Sequence, residues 1–327
     1  MKRIALAAVI LAGSMLAGAA SANDSTAMTS AGGLVLTRTD AIDMVSEDLF
    51  VSYDQVRVHY VFRNRTANDV TTTVAFPMPD RDLSQLGHAD VGYPSDFHTM
   101  IGGRAVTATL ERHAVARGRD QTAVLEGLHV PLVPDAEGIQ HITAALEALP
   151  APRQAELRRL GLIGTDEYVP GAIVPTWTVR DTWHWQQTFP AGRDLVVDHR
   201  YRPGAGSSPA LPLADPAYRR TADGRAEVAT YCPDPGFLAT IDRWNRAENM
   251  EGEIDNETIS YILTTGGNWR SPIGSFRLVV DKGDARNIVS FCGEGVRRIS
   301  PTQFEMRRTN WRPTRNLDVL IVSPPSQ

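Results

Sequence analysis

Val56-Arg57-Val58-His59-Tyr60-Val61-Phe62, followed by Val70-Thr71-Thr72-Thr73-Val74-Ala75-Phe76, decides the fold class of this chain. In the first run every even position is apolar or aromatic, while Arg57 and His59 fall on the other parity. Side chains alternate across a strand, so a period of two marks one buried and one solvated face. The second run repeats the pattern with Val70, Val74 and Phe76. Residues 64–69 between them are polar and turn-like, which predicts a hairpin. Pro77 and Pro79 end the second strand, because proline has no N–H to give to a ladder.

Working outward, strands across 32–79 and another over 105–115 predict an N-terminal β-sandwich spanning 23–120. The period then changes. Ile139, Ile142, Ala145, Leu146 and Leu149 recur at helical spacing, a second helix over 152–160 stops at Gly161, and 122–128 reads as a third. Residues 121–170 are therefore expected to form a helical insertion. Strands resume at Thr176. On odd positions 177–189 reads Trp, Val, Asp, Trp, Trp, Gln, Phe, a half-buried strand, and 194–202 follows with Leu195, Val197 and Tyr201 on one side. Gly, Pro and Ser crowd 204–217, which predicts an exposed loop. A helix over 237–247 and strands over 258–265, 275–281, 303–308 and 317–322 complete a C-terminal β region, 171–327. The expected fold class is mainly β, of the α+β kind.

The start of the chain reads as a leader. Lys2 and Arg3 precede an apolar run from Ile4 to Leu16, and Ala20-Ser21-Ala22 offers a small-x-small cleavage pattern. Residues 1–22 are read as a signal peptide, cut before Asn23, with a periplasmic or secreted product. The run is short for a membrane span and no comparable one follows, so no transmembrane segment is expected. The formal charge is -5 before the two basic leader residues are lost. Such a balance argues against nucleic acid as a partner and against docking on anionic lipid.

Cys232 and Cys292 are the two cysteines. After export an even pair is expected to bond, with no CxxC or nearby His to favour a metal or catalytic thiol. The chain-entropy model assigns such a bridge about 4 kcal/mol.

Motifs that carry chemistry are sparse. The eight histidines, at 59, 88, 98, 113, 129, 141, 184 and 199, make no HxH, HxxxH or HExxH spacing, so no metal site and no cofactor are announced. There is no GxSxG, SxxK or GxxxxGKS/T. Asp234 and Asp242 have no partner acid whose separation the sequence gives. Trp177, Trp183 and Trp185 share one parity, as either a sugar-stacking platform or a packed inner face. The remaining oddity is Thr264-Thr265-Gly266-Gly267-Asn268-Trp269-Arg270-Ser271-Pro272-Ile273-Gly274, longer than a tight hairpin needs. Gly266, Gly267, Asn268, Trp269 and Arg270 are the candidate contact residues there. The alternative is a wide turn whose Trp tucks back onto the sheet.

Several stretches together resemble one bacterial exported family, the "domain of unknown function 4424" family. They are Asn23-Asp24-Ser25, Gly32-Gly33-Leu34, Ile42-x-Met44 with Ser46-Glu47-Asp48-Leu49, Val74-Ala75-Phe76-Pro77-Met78-Pro79, Tyr261-Ile262-Leu263-Thr264-Thr265-Gly266-Gly267-Asn268-Trp269, Pro272-Ile273 and Phe276-x-Leu278. The resemblance implies export and brings no activity, cofactor or catalytic residue. The expected function is a non-enzymatic module that binds an envelope protein or a surface polymer. The alternatives are a hydrolase of glycan or cell-wall material, and a small-molecule or metal carrier.

Overall fold

The computed structural model describes residues 24–30, 33–85, 90–91, 94–134, 138–165, 169, 171–247 and 254–325. The leader read from residues 1–22 lies outside them. Strand is the commonest structure of the described chain, arranged in several mainly antiparallel sheets.

The largest sheet has eight strands in the order Arg297–Arg298, Gln303–Trp311, Ile273–Asp281, Ile42–Val51, Val56–Asn64, Asp194–Arg202, Ser95–Ile101 and Arg104–Val106. Its neighbours are antiparallel except Ile273–Asp281 and Ile42–Val51, which run parallel. A second sheet runs Arg119–Asp120, Thr109–Ala116, Thr178–Phe189, Val70–Pro77, Ser25–Ser30 and Gly33–Thr37, with Arg81–Asp82 also paired to Thr178–Phe189. A third has Ile288–Phe291, Leu317–Val322, Asn256–Tyr261, Gly206–Ser208 and Asp90–Val91. One apolar cluster joins all three: Val56, Val58, Tyr60 and Phe62 meet Val74, Phe76, Trp185 and Phe189, and Ile259, Tyr261, Val319 and Ile321.

The period-two reading holds for 56–62; in 70–76 Val74 and Phe76 do reach the core, but Ala75 between them is buried as well, and the two runs do not form a hairpin. Val56–Asn64 pairs with Ile42–Val51 and Asp194–Arg202, whereas Val70–Pro77 pairs with Thr178–Phe189 and Ser25–Ser30. The two runs bury their apolar parities from opposite sides of one core, which requires them to lie in different sheets. Asn64 builds the corner between them. Its Nδ2 donates to the carbonyls of Asn68 (2.8 Å) and Phe189 (2.9 Å), and its Oδ1 accepts from the Thr66 N–H at 2.8 Å. The strand expected over 105–115 likewise divides, into Arg104–Val106 and Thr109–Ala116 in two sheets.

Helices form at Thr122–Gly127, Gln140–Glu147 and Ala151–Leu160, the last closed by Gly161 at φ +79°, a left-handed conformation that suits glycine. Leu125, Ile142, Leu146 and Leu157 bury themselves against Ala114, Trp177 and Val179. The expected exposed loop at 204–217 is a correction. Gly206–Ser208 is a strand, and Leu211, Leu213 and Ala214 pack with Phe237, Ile241, Leu320 and Val322. Apolar residues among the prolines outweigh the local turn signal there. A helix not foreseen, Ala222–Tyr231, starts on the Thr221 hydroxyl, which accepts from the Gly224 N–H at 3.0 Å. Another covers Pro235–Ala247.

Cys232 and Cys292 are bonded, and they tie the end of Ala222–Tyr231 to the end of Ile288–Phe291. Strands from 23–120 and from 171–327 hydrogen-bond to each other in both larger sheets, so hydrogen bonding crosses the boundaries drawn at 120 and 171. Among the described residues no helix is long and apolar enough to cross a membrane.

Candidate functional site

Two adjacent cross-strand rungs on the solvent face of the eight-stranded sheet bring its charged residues together. Register places Arg307, Arg277, Asp48, His59, Asp198 and Met100 side by side on six strands. The adjacent same-face rung is Glu305, Val279, Phe50, Arg57, Arg200 and His98. Residues directly opposite on neighbouring strands interact, so each rung is an electrostatic row.

In the first row Arg307 and Arg277 stand opposite each other with like sign, and acids follow at Asp48 and Asp198 on either side of His59. Arg277 Nη1 lies 3.1 Å from both oxygens of Asp48, and His59 Nδ1 lies 2.7 Å from Asp198 Oδ1. Glu305 of the second row sits buried under Arg307, Arg277 and Arg297, whose hydrogen bonds hold its carboxyl well below the usual carboxylate range. The rest of the second row is different. Arg57 and Arg200 face each other directly, with His98 next in line, and neither guanidinium has an ion pair among the described residues. Arg57 instead lies over the Phe50 ring, 4.5 Å from its centroid.

A concavity of about 940 Å³ lies over this part of the face, walled by Phe97, Ala105, Val106 and Ala108. Its floor carries Arg57, Arg200 and Arg277 beside Asp48 and Asp198, together with His59 and His98. Chemically it can receive an anionic group between guanidinium planes, which suit carboxylate and phosphate in bidentate fashion.

Beneath the same strands lies a closed polar row. His199 Nε2 is 3.0 Å from Asp24 Oδ1 and its Nδ1 is 3.0 Å from Thr99 Oγ1. Rings of Phe76, Trp185, Phe97 and Tyr60 surround the imidazole at 5.0–5.8 Å between centroids. The order acid, imidazole, hydroxyl is that of a nucleophilic triad. However, the Asp24 and His199 side chains are 1% and 0% exposed, so neither group is open to solvent, although His199 and Thr99 border the concavity above.

The candidate contact stretch faces inward. Trp269 is 1% exposed, its ring 4.5 Å from that of Phe62, and its Nε1 donates to the Asp24 carbonyl at 2.7 Å. Asn268 Nδ2 donates to Ser25 Oγ at 3.0 Å, and the Gly267 carbonyl accepts from Arg38 and Arg312. Gly266 is buried in the turn Thr264–Asn268. Arg270 grips Asp43 through Nε (2.8 Å) and Nη2 (3.0 Å), and Arg65 and Ser271 bind the same carboxylate. Burial pushes the Asp43 carboxyl up, but these hydrogen bonds outweigh it and hold it at about 2. The indole expected at a partner surface is thus a core residue, and the stretch clamps the N-terminal segment instead.

Trp177 and Trp185 are also buried, and Trp183 stacks on Phe97 at 5.1 Å. Asp181, awkward on a buried parity, is held by Arg112 through two 2.6 Å hydrogen bonds. Of the site's side chains, Arg57 and His59 are legible in the sequence as outward residues of one strand. Asp198 and Arg200 carry the same signal, but their meeting with the first two depends on register between strands remote in sequence. No group of three or more His, Cys, Asp or Glu among the described residues could hold a metal ion.

The fold and this face define a mainly β protein with a charged concave sheet surface. The chain belongs to the family described as "Domain of unknown function (DUF4424)", whose profile matches residues 22–320. No curated protein matches the chain in sequence. Among solved structures, a candidate nutrient binding protein from Legionella pneumophila is similar at 14% identity and a TM-score of 0.46, covering 92% of this chain and 70% of that one. An M1 zinc metallopeptidase from Deinococcus radiodurans is similar at 11% identity and a TM-score of 0.24, covering 87% of this chain and 43% of that one. The chain thus spans less than half of the metallopeptidase, and at these scores neither likeness transfers an activity.

Proposed function

We propose that this is an exported binding protein, periplasmic or secreted after cleavage near Ala22, that holds an anionic group of an envelope polymer without acting on it chemically. The leader-like residues 1–22 support export. One observation carries the binding role: Arg57 and Arg200 are direct cross-strand partners with no acid paired to either among the described residues. Like charges directly opposite are destabilising. Arg277 and Arg307, also opposed on this face, share the Glu305 carboxylate, whereas Arg57 and Arg200 have no such acid among the described residues, and an anion lodged between their guanidinium groups relieves the repulsion. Association would weaken with salt, because the face is open to solvent.

The test is calorimetric titration with polygalacturonate, a carboxylate polymer, and separately with inorganic polyphosphate. Saturable, salt-sensitive binding of one of them is expected, which also separates carboxylate from phosphate recognition. Arg57→Gln and Arg200→Gln should each weaken it by about tenfold and leave thermal stability equal or slightly higher. No binding of either polymer to the native protein, or unaltered binding in both variants, overturns the reading.

A further inference from the structure

A second cavity, of about 820 Å³, lies where the third sheet meets the segments around Pro79 and Pro203. That volume falls in the range of small-molecule sites, about 300–1,000 Å³. Pro79, Pro94, Pro203 and Pro212 supply wall, and proline offers apolar ring surface without a backbone N–H. Donors must therefore come chiefly from side chains, and those on the wall are mostly hydroxyls.

Tyr201 marks the cavity as a receptor. The residue is 2% exposed, and its hydroxyl has no hydrogen-bond partner among the described residues. Leaving a buried hydroxyl unmatched is unfavourable, so the site gains when a partner arrives. The charged groups of this wall already have partners, and Glu227 among them shares a hydrogen bond with Tyr218. Asp80 is bound by Arg180, the Arg81 guanidinium donates to the Gly204 carbonyl at 2.6 Å, and Asp82 accepts from the Ser84 N–H. Asn256 pins the neighbouring loop by donating to the carbonyls of Ser208 and Ala210. Thr258, a hydroxyl on the opposite side, stands so close to Gly206 that a Cβ there would come within 2.8 Å of its Oγ1.

We infer that this cavity is a binding site for a neutral, hydroxyl-rich ligand of saccharide or polyol type, with the Tyr201 hydroxyl as its buried anchor. Hydroxyls both donate and accept, matching Tyr201, Tyr231 and the serines, while the C–H faces of a sugar ring lie against proline and tyrosine rings. The site is separate from the arginine face and stands or falls independently of it.

Calorimetry and ligand-observed NMR with glucose and N-acetylglucosamine test it, with tetramethylammonium as the cationic comparison. The native protein should bind at least one sugar saturably in the millimolar range and not the cation. Tyr201→Phe should weaken sugar binding by about tenfold, whereas Arg200→Gln should leave it unchanged. If Tyr201→Phe fails to fold by circular dichroism, Tyr231→Phe serves as the second variant and should also weaken binding. Absence of saturable sugar binding, preference for the cation, or equal affinity in the folded tyrosine variant overturns the inference.

Discussion

The imidazole of His199 and the carboxylate of Asp24 meet 3.0 Å apart inside the core, although 175 positions separate them in the chain. Asp24 keeps one buried oxygen, Oδ2, without a hydrogen-bond partner among the described residues. Burial pushes its carboxyl above the ordinary value of 3.8, against the opposing attraction of His199. A carboxyl with a raised folded pKa binds its proton more tightly in the folded state. It therefore subtracts stability as pH rises from the unfolded value through the folded one. For Asp24→Asn we expect a melting-temperature difference that moves in the variant's favour as pH rises above about 4, the unfolded carboxyl value. A difference independent of pH contradicts this.

Asp43 has the opposite sign. With its carboxyl held at about 2, the stability it contributes is complete above the unfolded pKa and is lost as pH falls from there to about 2. Asp43→Asn should destabilise by about 1–3 kcal/mol at neutral pH, since Arg65 and Arg270 are partly exposed and screened. Denaturant curves of the two proteins should converge as pH drops from about 4 to about 2.

Trp269 fills the core and closes a hydrogen bond, and the two contributions can be separated. Trp269→Ala should cost about 3–5 kcal/mol through the cavity it leaves. Trp269→Phe keeps most of the ring volume but leaves the buried Asp24 carbonyl without its donor, for about 1–3 kcal/mol. Urea unfolding of both variants checks this, and a loss near zero for the alanine variant would place the indole outside the core.

Reduction of Cys232–Cys292 should lower stability by about 4 kcal/mol, the chain-entropy value for a 60-residue separation. Urea midpoints with and without reductant provide the measurement. Equal midpoints would mean that the unfolded chain already holds these ends together.

Local patterns were legible and long-range pairing was not. The parity of Val56, Val58, Tyr60 and Phe62 reports a buried face because alternation is a property of one strand. Which strand lies alongside is decided by partners such as Asp194–Arg202, far down the chain, and no local pattern encodes that register. The hairpin expectation failed for this reason. At Trp269 the composition was ambiguous in a physical sense, since a glycine-rich turn can present an indole or fold it inward. Burial against Phe62 and the Asp24 carbonyl decided it. The arginine pair was hidden twice over, by unknown register and by the plainness of an outward Arg on a strand.

The parallel pairing of Ile273–Asp281 with Ile42–Val51 also sets an order in time. Asp48 and its partner Arg277 stand 229 positions apart, so this ladder has to close a very long loop. Contacts of such high order are slow to form. Until residues beyond 273 join, one edge of Ile42–Val51 presents unpaired N–H and C=O groups, a template for strands of other chains. Nascent or truncated forms ending before that point keep the edge open. They would be the species most prone to aggregate and most dependent on a chaperone, whereas the finished chain seals the edge with its own strand.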